Sequence, residues 1–413
     1  MKKKIALLIA ASMLASMTGC NIAYESELPS EGLHLTVSNA DVVIDFCYTN
    51  EAYKEYFEFC EKEFEKQNEK VDIVLHCKTE NMQYLEEIVN TTYNEDSFMD
   101  VYMLSDSNIG TAYLAGVAAK NPYDDFNEEN YCSTALRASS YGDVMVGYPL
   151  SYDTTFLLYR SDLLNESDVS SFYGLMGYSD NADFSSEEFL SIEAIFKCDD
   201  DEIFNIYGFI GSGIDLGGDT GVDSSIVDID NGITERLSNE YMTLLEYFSS
   251  NTGDGYDAIL GKFLEGKYLA TIGSTFDLDE ILESEVVYSI KPVPDYAPMS
   301  KVAPLSVTQC VVVNMYSPNN DVASDFARFV TYEAASYLYD MSAKLSARKG
   351  VQYDNKELGN IYGSYEKASI KNKLQYGEQF YPMMEIALHN IVAGNDIKTE
   401  LSSVQEHMEL QLK

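Results

Sequence analysis

Between residues 42 and 117 the sequence alternates short runs of β-branched and aromatic residues with longer stripes of helical spacing, and this alternation leaves few folds open. Residues 42–48, VVIDFCY, read as a strand, and Thr49 or Asn50 can cap a helix whose apolar residues Tyr53, Tyr56, Phe57, Cys60 and Phe64 share one face. A strand at 71–76, a helical stripe through Met82, Leu85, Ile88 and Val89, a strand at 99–104, a loop at 105–107 and a helix at 109–117 repeat the unit. Strands joined by helices of these lengths form a mostly parallel sheet covered by helices. In such sheets a ligand sits beyond the carboxyl ends of the strands. The chain has 413 residues, more than the about 250–300 that one core supports, so two domains are expected.

The start of the chain does not belong to the fold. Lys2, Lys3 and Lys4 precede an apolar run over residues 5–17, which is shorter than the about 20 residues needed to span a bilayer, so it reads as a cleaved signal. Thr18, Gly19 and Cys20 resemble the lipobox of bacterial lipoproteins. That resemblance implies a signal peptide at 1–19, a lipid on Cys20, and an exported protein anchored on the outer face of the cytoplasmic membrane, at the cell surface in a Gram-positive-type bacterium. Two acyl chains make such an anchor stable where one does not. The polar residues 20–40 then read as a tether.

Charge narrows the partners. There are 68 acidic residues against 27 basic ones, a net charge of −41, and loss of the signal lysines makes the mature chain more acidic still. Such a surface repels phosphate backbones and anionic headgroups, so nucleic acid is excluded as a partner. Besides Cys20 there are six scattered cysteines without C-x-x-C spacing, read mostly as small buried hydrophobes, with a Cys60–Cys77 bridge as the one pairing considered. The four histidines are isolated, so neither a metal site nor a His-based triad is expected. No cofactor is expected either.

Further along, residues 144–148 and 156–159 read as two strands around a polar corner at 149–155, because Pro149 has no N–H to give a ladder. A helix at 186–196, a strand at 206–210, a glycine-rich loop GSGIDLGGDTG at 211–221, helices at 233–248 and 256–264, and strands at 268–272, 286–290 and 305–314 follow. The glycine-rich loop lacks the spacing of a dinucleotide or phosphate fingerprint and of a calcium loop. The end of the chain is helical in pieces, with FYPMM at 380–384 between them.

Four strand ends join aromatic to polar side chains: Tyr48 with Asn50 and Glu51, Leu104 with Asp106 and Ser107, Tyr152 with Asp153, and Ser274 with Phe276. Sugars offer hydroxyls that seek carboxylates, amides and hydroxyls, and C–H faces that stack on rings. Here the sequence resembles the extracellular solute-binding proteins of the family that includes maltose-binding protein. The resemblance rests on MDVYMLSDSNIGTAYLAGVA, on VGYPLSYDTTFLLYRSDLL as a Tyr-Pro crossover with Asp153 at an acidic ligand position, on GKYLATIGSTF with Phe276 where the family carries tryptophan, on KLSARKG, and on Tyr381 near a sugar-stacking aromatic. It departs from the family in having no tryptophan, against 32 tyrosines.

The resemblance implies a two-lobe periplasmic-binding-protein-like α/β fold of type II, each lobe a mostly parallel sheet flanked by helices, with several crossings between lobes. The lobes are expected at 41–151 with 308–345 and at 152–307 with 346–413, the chain crossing back at Thr308–Gln309. It further implies a monomeric receptor of an ABC importer for a sugar or oligosaccharide, working with permease subunits and not as an enzyme. A polyamine or other cation in the same fold is the alternative ligand, and a surface glycoside hydrolase using Asp106 and Asp153 as paired carboxylates is the alternative activity. Structural roles compete at each position. Asp153 can be a hinge carboxylate, Tyr48 and Phe276 core aromatics, and Asp106, Asn50 and Glu51 helix-cap residues.

Overall fold

Apolar side chains at i, i+3 and i+4 turn residues 54–67 into a helix, and the strand before it has both faces covered. The computed structural model describes residues 40–78, 83–94, 98–183, 185–250 and 253–412; the signal segment, Cys20 and the tether up to residue 39 lie outside them. In chain order the elements that build the site are β1 (Val42–Tyr48), α1 (Lys54–Gln67), β2 (Val71–Cys77), α2 (Tyr84–Asn94), β3 (Val101–Ser105), α3 (Asp106–Leu114), α4 (Ser133–Ala138), β4 (Gly147–Tyr159), β5 (Ala194–Lys197), α5 (Gly232–Tyr247), α6 (Tyr256–Leu264), β6 (Tyr268–Ser274), β7 (Ser289–Lys291), β8 (Leu305–Val313), α7 (Lys356–Glu366), β9 (Ser369–Ile370), α8 (Phe380–Val392) and α9 (Ile397–Gln411).

The strands form one path, β2-β1-β3-β8-β4-β6-β5, with β7 added to β4 and β9 to β8. β1 runs parallel to β2 and β3, whereas β8 is antiparallel to β3 and β4. β4 is the member shared by two half-sheets. Thr154 still pairs with Ser306 of β8, and the next residue, Thr155, pairs with Ser274 of β6. One strand thus leaves the first lobe and enters the second without a loop.

The largest core cluster runs from the first lobe through β4 to Ile259, Phe263 and Ile281 of the second, and each lobe adds a cluster of its own. In the first, Phe46 meets Phe57 of α1 edge-on with ring centroids 4.8 Å apart, and Leu104, Ile109 and Cys310 fill the opposite face of the sheet. In the second, Phe172, Phe196, Phe209 and Tyr241 pack with Leu388 of α8 and Leu401 of α9. Burying one such side chain fully stabilises the fold by about 1.5–3 kcal/mol. Helix α5 starts where Asn231 accepts hydrogen bonds from the backbone N–H groups of Ile233 and Thr234, both at 2.9 Å. Asn231→Ala should therefore lower the unfolding free energy by about 1 kcal/mol in urea melts.

The structure corrects several sequence expectations. No corner forms at Pro149, because β4 runs unbroken through it. The missing N–H falls where the β4–β8 register shifts, with Gln309 opposite Ser151 but Cys310 opposite Pro149, so an extra residue absorbs it. Residues 186–196 are a short turn, Glu187–Phe189, followed by β5, and residues 206–210 are helical turns rather than a strand. The loop expected at 105–107 is instead the start of α3, which opens at Asp106. Thr308 and Gln309 lie inside β8, where Thr308 pairs with Tyr152 of β4 and Gln309 with Ser151 of β4 and Ser105 of β3. All six described cysteines are free, Cys60 and Cys77 included, and Cys77 alone among them is exposed. In the glycine-rich loop, Gly217 has φ +95° and a Cβ there would stand 2.5 Å from the backbone of Gly221, so only glycine fits.

Candidate ligand-binding cleft

The carboxyl ends of β1 and β2 and the middles of β3, β4 and β8 converge on one cavity of about 460 Å³. Its wall is made by Thr49, Asn50, Glu51, Tyr53, Cys77, Met103, Asp153, Gln309 and Lys344, with Phe276 contributed by the other lobe. Asn50, two residues past the end of β1, caps the following turn, its Oδ1 accepting from the N–H of Ala52 at 2.9 Å, and Asn50 and Glu51 are exposed at the rim. Tyr53 points inward, its hydroxyl 2.6 Å from Ser151 Oγ.

Asp153 stands at the end of the first lobe's part of β4. It is 8% exposed, and its Oδ1 accepts a hydrogen bond from Thr275 Oγ1 at 3.0 Å. The same Thr275 oxygen accepts the backbone N–H of Thr154 at 3.0 Å, so one hydroxyl of the second lobe fixes both the carboxylate and the strand that carries it. Burial pushes the Asp153 pKa up, while Lys344 and the Thr275 hydrogen bond hold it down. Phe276 follows Thr275 in a turn capped by Ser274, whose Oγ accepts the Phe276 N–H at 3.2 Å. The ring is 59% exposed and rests against Phe204, with centroids 5.2 Å apart. An exposed ring facing carboxylates, amides and an ammonium is the arrangement that holds a polyhydroxylated solute: one face stacks and the edges hydrogen-bond.

No protein-family model matches the chain. The maltodextrin-binding protein MdxE of Bacillus subtilis (strain 168) is 24% identical over 386 residues, covering 89% of this chain and 87% of that protein. Among solved structures, the maltose-binding periplasmic protein MalE of Listeria monocytogenes in complex with maltose superposes with TM-score 0.75 at 20% identity, covering 90% of this chain and 97% of that one. An extracellular solute-binding protein of Staphylococcus aureus in complex with maltose gives TM-score 0.78 at 16% identity, covering 89% and 97%. In sequence and in fold, the chain resembles the maltose-binding-protein-like extracellular solute-binding proteins.

Within this solute-binding fold, four of the residues singled out from sequence meet in the cavity: Asn50, Glu51, Asp153 and Phe276. The others lie elsewhere. Tyr48 is a core residue between Phe46 and Phe57, and Leu104 is fully buried behind β3. Tyr152 is buried with its ring stacked on Tyr365 at 4.1 Å. Ser274 is buried as a cap, and Ser107 bonds Ser105 Oγ at 3.0 Å. Tyr381 lines a separate cavity of about 250 Å³ with Arg137, Tyr207 and Asn372, its hydroxyl accepting the Asn372 N–H at 2.9 Å.

Asp106 corrects the hydrolase alternative. It is fully buried at the first turn of α3 and does not line the cavity that holds Asp153, so the two carboxylates do not flank a common site. The lining residues missed from sequence are Thr49, Tyr53, Cys77, Met103, Gln309 and Lys344. Two of them, Thr49 and Cys77, sit at or next to the carboxyl end of a parallel strand, where ligands of such sheets are expected.

Proposed function

We propose that this protein is the receptor of an ABC importer, taking a saccharide of the maltodextrin class into the cleft and presenting it to permease subunits. It works as a monomer held to the outer face of the cytoplasmic membrane by a lipid on Cys20. The observation that carries the reading is the cavity at the strand ends. Asp153, Glu51 and Asn50 from one lobe face the exposed Phe276 ring from the other, in a fold whose neighbours hold maltose. The change of strand partner at Thr154–Thr155 supports a hinge there, a few residues past the lobe boundary at 151–152 read from sequence, about which the lobes close on the solute.

Micromolar affinity needs about −8 kcal/mol, within reach of a few charge-assisted hydrogen bonds and one stacked ring. Calorimetric titration of the chain from residue 21 onward with maltose, maltotriose, cellobiose and spermidine tests the proposal. Maltodextrins should release heat with micromolar dissociation constants and spermidine none. Binding of spermidine without any saccharide would overturn it.

A further inference from the structure

We propose that Gln309 is a specificity-determining residue of the cleft, its amide oxygen reserved for a hydroxyl of the bound saccharide. The inference rests on the saccharide reading above. From Cys310 onward β8 is apolar, and Val311 and Val313, two and four residues beyond Gln309 and so on its face of the strand, are fully buried. A glutamine among them has to be matched to something polar. The structure gives its Oε1 no partner among the described residues, although the atom is buried.

The backbone around it is adapted to the position. The β4–β8 register shifts between Gln309 and Cys310, where β4 carries the extra residue Leu150, and such a bulge disrupts the ladder and increases the twist beside Gln309. That shift leaves Gln309 between Ser105 of β3 and Ser151 of β4, on the wall of the same cavity as Asp153 and Lys344. The terminal torsion of a glutamine is broad, so the amide plane turns readily and offers Oε1 to a donor entering the cavity.

Glu51, Asp153 and Gln309 bring acceptors to a cavity wall on which Lys344 is the one ammonium. A ligand rich in O–H donors satisfies that set, and one that lacks the hydroxyl opposite Gln309 leaves the acceptor unpaired. Sites built this way discriminate strongly against the analogue without the hydroxyl.

Calorimetry on Gln309→Met and Gln309→Glu with maltose, maltotriose and a set of monodeoxy maltoses is the test, alongside thermal melts of the unliganded proteins. Gln309→Met should bind maltodextrin about tenfold or more weakly than the wild type, with an unchanged or raised melting temperature. Gln309→Glu, which keeps an acceptor at the same length, should stay within tenfold. For one monodeoxy position the Met variant and the wild type should bind alike, a signature that a purely structural role would not produce. Equal maltose affinity in Gln309→Met and wild type, or sensitivity to the substitution with every monodeoxy sugar, overturns the assignment and leaves the receptor reading intact. A wild type that binds no saccharide overturns both.

Discussion

Replacing Lys373 by methionine should lower the unfolding free energy by about 2–5 kcal/mol, since each buried carbonyl left without its donor costs about 1–3 kcal/mol. Lys373 is 5% exposed, and its backbone N–H is bonded to the carbonyl of Gly221 in the second lobe at 3.2 Å. Its ammonium enters the first lobe and donates to the carbonyls of Arg137, Ala138 (2.7 Å) and Ser140 at the end of α4. Methionine fills the volume but leaves these carbonyls without the ammonium's hydrogen bonds and takes from the buried Asp106 the stronger of the two cations that act on it. Urea melts would check the size of the loss, and Lys373→Met combined with Asp106→Asn should recover part of it.

The pH dependence of this pair has a defined sign. Burial pushes the Asp106 pKa up from 3.8 to about 7, against the pull of Lys373 and Lys371, and burial pushes Lys373 down from 10.5 to about 8, against Asp106. A carboxyl with a raised folded pKa binds more protons folded than unfolded between those values. Its contribution to stability therefore falls as pH rises from about 4 to about 7. The wild type should lose stability relative to Asp106→Asn across that window, and the difference should level off above it. A difference that grows with pH instead would mean that Asp106 stays ionised when folded.

Asp153→Asn should weaken maltodextrin binding by about 10- to 150-fold, the range for losing one charge-assisted hydrogen bond. The fold should hold, because asparagine Oδ1 can still accept from Thr275 and the change relieves the burial of a charge that raises the Asp153 pKa. Calorimetry with a parallel thermal melt separates the two effects. Thr275→Val should reproduce part of the affinity loss by releasing the carboxylate, and Thr275→Ser should restore it. A drop in melting temperature for Asp153→Asn comparable to that of Lys373→Met would show that the carboxylate serves the hinge and not the ligand.

Local periodicity carried much of the architecture. Tyr53, Tyr56, Phe57, Cys60 and Phe64 are buried on the face that their spacing indicates, and β1, β2, β3, β6 and β8 fall where apolar runs end in polar corners. What spacing could not carry was which tyrosines are core. A tyrosine hydroxyl can be met by a distant backbone carbonyl, as Tyr102 bonds Val117 at 3.0 Å and Tyr131 bonds Thr331 at 3.1 Å. In a chain with 32 tyrosines and no tryptophan, many rings therefore serve as core volume, and Tyr48 and Tyr152 are among them. Gln309 was hidden for the opposite reason, being a polar residue within an apolar strand whose place on the cavity wall depends on a pairing with residues more than 150 positions away. Lys373 gave no local signal at all, because its partners are carbonyls of another lobe.

β4 has a mechanical consequence. Its first half is laced to β8 and its second half to β6 and β7, so neither lobe can come apart without stripping a central strand from the other. Heating should give a single calorimetric peak rather than one for each lobe. A saccharide that draws the lobes together would then act on the melting of the whole chain and not on one half of it.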